Sequence, residues 1–390
     1  MKKKILFVTK ALWIGGIETA LVNLLNYFDY ESYDVTLLVL HAELDMLERI
    51  HPKCRVLIAD REKTYTFDTP YQYSRLHHLT EETDNPSRLH RMMMWTVPIL
   101  KWVENRLYIR YIRSLMKDEH FDTAIIYSDV VAEAAIRAID ADRFLMFYHH
   151  GVMRHVYHDQ TAYKKCDKII AVSENQASEL KKFVPFAANK IISIHNLTDV
   201  DGIRAKAAQP TAEAFDKTKF NIVSVGRVSH EKGMDIAVRA CTKLVTDGFD
   251  NVRWWIVGGG PAMQEVLDTI AETHMENYVY TVGMQSNPYP YIRQADLYVQ
   301  PSRFEGYPMT ILEALVLGQP VVSTNNNGAK EILIDGKTGL LRKIDAIEIA
   351  EAVAMLLKDT GKHDLLKKNV RNLDFDNQNK QYVAMLESLM

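Results

Sequence analysis

Cysteine is scarce: the 390 residues hold three, Cys54, Cys166 and Cys241, odd in number and far apart. They fit neither a disulfide framework nor a zinc site, and point to a reducing, cytoplasmic setting. No apolar run approaches the ~20 residues that cross a bilayer, so any membrane contact is expected to be peripheral. The opening Met-Lys-Lys-Lys-Ile-Leu-Phe-Val starts like a secretion signal. Lys10 then interrupts the apolar run and no small-residue cleavage site follows, so a cleaved leader is not expected. An excess of one charge is also lacking: a net charge of −3 excludes bulk nucleic-acid binding. The G-x-G-x-x-G dinucleotide fingerprint is missing. No D-x-D pair stands at the end of an expected strand, so neither a metal nor a resident cofactor is expected.

What is present is a soluble composition, 47% apolar and 25% charged, on a chain long enough for two domains. Ile5 to Thr9 reads as a buried strand, Trp13-Ile14-Gly15-Gly16 as a tight turn, and Glu18 to Phe28 as a helix with an apolar face. Val35 to Leu40 is a second strand. This order predicts a parallel, doubly wound sheet, in which Gly15 and Gly16 let backbone N–H groups approach a phosphate or sugar. Arg143 to His149 is a later strand ending in His149-His150-Gly151, where open α/β sheets place their ligands. Residues 205–219 are polar, contain Pro210 and lack periodicity, and are expected to be the interdomain linker. The pattern then restarts. Strands at Phe220 to Val225 and Val252 to Val257 lead into Gly226-Arg227 and Gly258-Gly259-Gly260, and the tail from Asp374 ends in a helix.

Residues 88–117 stand apart, with seven Lys or Arg against one acid, Glu104, and with Trp95 and Trp102 interspersed. On a helix Arg106, Arg110, Arg113 and Lys117 fall within an arc of roughly 60°. Trp102, Ile109, Ile112 and Met116 line the adjoining stripe. Two readings fit this pattern: an interfacial helix whose cations meet anionic lipid, or a core-packed helix with a solvated basic edge.

The richest stretch is Pro301 to Gly318. An apolar strand, Asp296 to Gln300, leads into a loop carrying Glu305-Gly306-Tyr307, and then into a helix on which Ile311, Leu312 and Leu315 share a buried face. Pro308 suits the start of that helix and Gly318 its end. Glu305 and Glu313 flank a helix N-terminus, a ready anion site, and two carboxylates there can bind sugar and ribose hydroxyls. Upstream, Gly226-Arg227-x4-Lys232-Gly233 puts a planar donor fork and a mobile point charge in one strand–loop turn. Preorganised cations of this kind stabilise a departing diphosphate in the transition state.

Taken together, G-G-I-E at 15–18, H-G at 150–151, V-S-E at 172–174, G-R-x4-K-G at 226–233, V-G-G-G-P at 257–261, E-G-Y-P-x4-E at 305–313 and N-G-x2-E at 327–331 resemble the retaining glycosyltransferases of family 4. The resemblance covers nearly the whole chain. It implies the GT-B fold, with two Rossmann-like domains facing a central cleft. Residues 1–205 would form the acceptor domain, 206–372 the nucleotide-sugar domain, and 373–390 a C-terminal helix packing back on the first. Arg227 and Lys232 would hold the diphosphate, Glu313 the ribose, and Glu305 with Gly306 and Tyr307 the transferred sugar. Gly258 and Gly259 would line the donor site, Gly15 and Gly16 would approach from the other domain, and His150 would lie beside the reacting centre. The expected activity is transfer of a hexose-type sugar from a nucleotide sugar, a UDP-sugar, to a glycan or lipid-linked glycan. A sugar-nucleotide epimerase or phosphorylase on the same fold is one rival, and a non-catalytic partner subunit another. The phosphorylase needs a cofactor lysine or phosphate site that is not evident. The partner subunit would be expected to have lost Arg227, Lys232, Glu305 or Glu313.

Overall fold

The computed structural model describes residues 2–41, 43–59, 106–116, 119–149, 160–211 and 213–390. They form two compact units, one of residues 1–195 with 383–390, the other of residues 196–382. His150, Gly151, Trp95, Trp102 and Lys117 lie outside the described residues.

The first unit is built on a parallel sheet of β1 (Lys3–Thr9), β2 (Tyr33–Val39), β3 (Arg55–Ile58), β4 (His120–Ile126), β5 (Asp140–Tyr148), β6 (Lys168–Ala171) and β7 (Ile191–Ser193), in the order 3-2-1-4-5-6-7. Its central strands are continuous apolar runs because helices cover both faces. Ile5, Leu6, Phe7 and Val8 of β1 are all fully buried. The strand order reverses between β1 and β4, so the loops after those two strands border the topological switch point. Gly15 and Gly16 follow β1, Tyr127 follows β4, and His149 follows β5. The rings of Tyr127 and His149 lie 4.7 Å apart.

The second unit repeats the scheme with β8 (Phe220–Val225), β9 (Val252–Val257), β10 (Val279–Gly283), β11 (Leu297–Gln300), β12 (Val321–Thr324) and β13 (Gly339–Arg342), in the order 10-9-8-11-12-13. Here the reversal falls between β8 and β11. The two motifs richest in charge, Gly226 to Gly233 and Pro301 to Tyr307, follow these two strands.

One expectation needs correction. The chain passes between the units at His195–Asn196, ahead of the polar stretch 205–219. A helix, Val200–Ala207, intervenes, and Asp199 caps it by accepting the Gly202 N–H at 2.9 Å. It packs against the helices Tyr289–Gln294 and Met309–Val316 of the second unit, which fixes it there. Of the two readings of the basic segment, the core-packed one holds for residues 106–116, which are helical, as the periodicity predicts. Tyr108, Ile112 and Met116 are buried in the core of the first unit, with Ile109 packed at its edge. That apolar stripe is spent on protein packing rather than left for lipid. Arg106, Arg110 and Arg113 remain exposed along the opposite edge.

The C-terminal helix, Phe375–Glu387, begins in the second unit. There the Asn379 side chain accepts the Thr198 N–H and donates to the Thr198 carbonyl, at 3.1 and 2.7 Å. The last residues belong to the first unit, where Lys3 and Arg143 donate to the carbonyls of Met390 and Leu389.

Candidate active site

The helix Met309–Val316 anchors the site of the second unit. Ile311, Leu312 and Leu315 are buried, each worth ~1.5–3 kcal/mol against exposure. Pro308 is its N-cap residue, where a missing N–H costs nothing. At its end Gly318 N–H bonds the Leu315 carbonyl and Gln319 N–H the Ala314 carbonyl, the pairing that closes a helix on a glycine. The loop ahead of this helix carries Glu305, and its position there is decided by the neighbouring loop.

That neighbouring loop follows β8. Gly233 has φ +65°, and a Cβ on it would lie 2.2 Å from the Pro301 carbonyl oxygen, so only glycine lets the two strand-end loops meet. Arg303 completes the junction. Its guanidinium spans both carboxylate oxygens of Asp235 at 2.8 and 2.6 Å, and its backbone N–H bonds the Glu231 carbonyl at 2.7 Å. Burial pushes the Asp235 carboxyl up, but the Arg303 guanidinium, together with the backbone N–H groups of Asp235 and Ile236, holds that carboxyl below its ordinary range. Sequence reasoning assigned no role to Arg303 or Asp235, which stand 68 positions apart in the chain.

With the loops joined in this way, Lys232 reaches Glu305. Its Nζ donates to both carboxylate oxygens, at 2.7 and 2.8 Å, and the Glu305 side chain is only 7% exposed. Glu305 Oε1 also accepts from Ser302 Oγ at 2.7 Å and Gln300 Nε2 at 3.0 Å. Glu305 therefore does not cap the following helix; it is held at the junction of β8 and β11. Arg227, in the same loop as Lys232, is exposed. Glu313 is buried at 6% exposure, and its Oε1 accepts from Tyr289 OH at 3.2 Å.

The remaining expected residues sort by what their backbones meet. A Cβ on Gly258 would lie 1.8 Å from the Gly226 carbonyl oxygen, so that glycine serves close packing of the loops after β8 and β9. Gly259 has only ordinary contacts, to Met284. Gly306 offers its carbonyl to the space beside Gly328, whose Cβ would stand 2.8 Å from it. Tyr307 hydrogen-bonds Tyr382 of the C-terminal helix, and burial pushes its phenol well above the ordinary range.

In the first unit, Gly15 is the N-cap residue of the helix Gly16–Tyr27 and supplies no side-chain cap. A Cβ on Gly15 would stand 2.4 Å from Glu18 Oε2, whereas one on Gly16 would meet nothing within 4 Å. Glu18 is the residue that sequence reasoning quoted but left without a role. It is 6% exposed, and burial pushes its carboxyl up to about 7, against its own backbone N–H, Lys10 and the Trp13 side chain. Tyr127 lies near enough to feel its charge. Among the described residues, no three His, Cys, Asp or Glu side chains are grouped so as to hold a metal ion.

Two family models match the chain: Glycosyltransferase Family 4 over residues 14–201, and Glycosyl transferases group 1 over residues 205–373. An uncharacterized glycosyltransferase of Methanocaldococcus jannaschii is 29% identical over 175 residues, covering 44% of this chain and 43% of its own. The N-acetylgalactosamine-N,N'-diacetylbacillosaminyl-diphospho-undecaprenol 4-alpha-N-acetylgalactosaminyltransferase of Campylobacter jejuni is 30% identical over 212 residues, covering 54% and 55%. The chain thus spans about half the length of these curated relatives. Among solved structures, Anabaena HepE in complex with UDP-glucose superposes with a TM-score of 0.68 at 18% identity, over 99% of both chains. Two parallel Rossmann-like sheets, matched by two adjoining family models and by a full-length structural neighbour, place the chain among the family 4 glycosyltransferases of the GT-B fold.

Proposed function

We propose that the protein transfers a hexose-type sugar from a UDP-sugar, with retention of anomeric configuration, to a glycan or lipid-linked glycan in cell-surface polysaccharide or glycolipid synthesis. The observation that carries the reading is the Lys232–Glu305 pair at the ends of β8 and β11, with Arg227 exposed in the same loop. A cation and a carboxylate side by side suit a ligand that joins a diphosphate to a hydroxyl-bearing ring. Support for the donor comes from HepE, solved with UDP-glucose. Support for the acceptor class comes from the Campylobacter relative, whose name specifies a diphospho-undecaprenol substrate.

On this reading Arg227 and Lys232 stabilise charge building on the departing diphosphate, the term that usually contributes most to such catalysis. Lys232 is within reach of Glu305, so the carboxylate that receives the sugar's hydroxyls also orients the ammonium that meets the phosphate. Glu313 receives the ribose hydroxyls, Gly258 and Gly259 line the donor site, and the resemblance assigns Gly15 and Gly16 to the donor as well. His150, outside the described residues, is assigned to the reacting centre by the family resemblance alone. No carboxylate is assigned a covalent role. Because protein cations already supply the positive charge, transfer needs no metal.

The site of action proposed is the cytoplasmic face of the membrane. No helix among the described residues is long and apolar enough to cross a membrane. Contact is therefore assigned to the exposed Arg106, Arg110 and Arg113 with Lys117, acting through charge alone, since the neighbouring apolar stripe lies in the core. A panel of nucleotide sugars, read first by thermal shift and then by NMR of the product's anomeric proton, tests donor and stereochemistry. The expected result is stabilisation by a UDP-sugar and an α-linked product from an α-linked donor. An inverted linkage would overturn the mechanism.

A further inference from the structure

Beneath Glu305 lies a chain of fully buried polar groups that the motif reading does not use. Tyr298, Gln300 and Ser302 alternate along the end of β11 and its exit, and all three are at most 1% exposed. The period of two puts Tyr298 and Gln300 on one face of the strand. Gln300 Oε1 accepts from Tyr298 OH at 2.6 Å and from Thr310 Oγ1 at 3.0 Å. Its Nε2 donates to Ser302 Oγ at 2.6 Å and to Glu305 Oε1 at 3.0 Å. A carboxylate paired with an ammonium only accepts hydrogen bonds, so the amide nitrogen must face Glu305 and the amide oxygen the two hydroxyls. Both ends of the amide are thereby committed, and the side chain has one orientation.

The consequence falls on the two oxygens of Glu305. Oε1 receives three donors, from Lys232, Ser302 and Gln300, and has no lone pair left to offer. Oε2 receives Lys232 and keeps room for another donor. We propose that Gln300 is a positioning residue for donor-sugar recognition: by saturating Glu305 Oε1 it turns Oε2, beside Lys232, into the acceptor for a sugar hydroxyl. This rests on the reading above that Glu305 receives the transferred sugar.

Calorimetry with UDP and with UDP-glucose, on wild type, Gln300→Leu, Gln300→Glu and Glu305→Gln, tests it. Gln300→Leu keeps the volume but removes the amide, and is expected to bind UDP within about 3-fold of wild type and UDP-glucose about 10-fold more weakly, the scale of one lost hydrogen bond. Gln300→Glu keeps an acceptor toward Tyr298 and Thr310 but sets a second carboxylate against Glu305. Its UDP-glucose affinity should fall further at pH 8 and recover as the pH is lowered, because the introduced carboxyl, once protonated, donates where the amide did. A merely structural role predicts no such recovery. Equal weakening toward UDP and UDP-glucose in Gln300→Leu, or wild-type discrimination between them, overturns the proposal while a defect confined to UDP-glucose in Glu305→Gln upholds the sugar role of Glu305. Wild-type UDP-glucose binding by Glu305→Gln overturns both.

Discussion

Lys232 Nζ sits within 2.8 Å of both carboxylate oxygens of Glu305, across two loops that follow different strands. The pair joins the two motifs, G-R-x4-K-G and E-G-Y-P, that the sequence presents as separate. It also means that the two residues do not act independently, since removing either changes what the other does.

The two cations proposed to meet the diphosphate should therefore fail differently. Arg227→Ala and Lys232→Ala are each expected to lower kcat/KM by about 10²-fold or more, the scale of one lost transition-state donor. Arg227 is exposed, so its loss should leave stability within ~0.5 kcal/mol. Lys232→Ala strands a buried carboxylate and should cost about 2–3 kcal/mol, below the range for a wholly buried pair because Lys232 is 26% exposed. Kinetics and urea denaturation of both variants check this. Activity within a few-fold of wild type in either folded variant contradicts the assignment.

Glycines should separate in the same way. Gly258→Ala drives a Cβ to 1.8 Å from the Gly226 carbonyl oxygen and is expected to destabilise by more than ~2 kcal/mol. Gly16→Ala meets nothing within 4 Å, so its stability should be near that of wild type. If the Gly16 backbone approaches the donor, its activity should nonetheless fall. Thermal denaturation alongside kinetics reads both, and an unchanged Gly16→Ala enzyme removes Gly16 from the site.

Glu18 should make stability depend on pH. Its folded-state value of about 7 lies above the ordinary 4.5, so the folded state holds a proton that the unfolded chain has released between those values. Its contribution is fully present below the unfolded value and is lost as the pH rises through about 7. Glu18→Gln mimics the protonated form. It should match wild type near pH 4 and exceed it by about 3 kcal/mol at pH 8, as denaturation at the two pH values would show. Parallel pH dependence in the variant and in wild type would assign the effect to another group.

The proposed membrane contact through Arg106, Arg110, Arg113 and Lys117 would be worth ~1 kcal/mol per cation near an anionic surface. Replacing all four with Gln should release the protein from anionic vesicles in co-sedimentation, and salt should do the same. Equal recovery on neutral and anionic vesicles would end this assignment and leave the transferase reading intact.

How much of this was legible follows from what each residue answers to. Both sheets could be read because buried parallel strands are continuous apolar runs, and helix Met309–Val316 because Ile311, Leu312 and Leu315 repeat on one face. The passage between the units was misplaced because polarity and Pro210 drew attention to 205–219, while Asp199, the cap that starts the preceding helix, is a single residue. Ile112 and Met116 fitted either lipid or core by periodicity, since only the tertiary fold decides what covers an apolar stripe. The Arg303–Asp235 clamp and the Tyr298–Gln300–Ser302 chain were invisible for another reason. Asp235 lies on another element from Arg303, and Gln300 meets Thr310 and Glu305 beyond its own strand, and no local pattern records which strand ends and loops become neighbours.

Metal dependence and turnover are read together in one experiment that bears most directly on the account. Wild type and Lys232→Ala are incubated with UDP-sugars and a lipid-linked glycan acceptor, with and without excess EDTA, and UDP release is followed. The account predicts release by wild type that EDTA does not abolish, and loss of about 10²-fold or more in Lys232→Ala under both conditions. Release that stops in EDTA and returns with Mg²⁺ or Mn²⁺, or equal release by the two proteins, would contradict it.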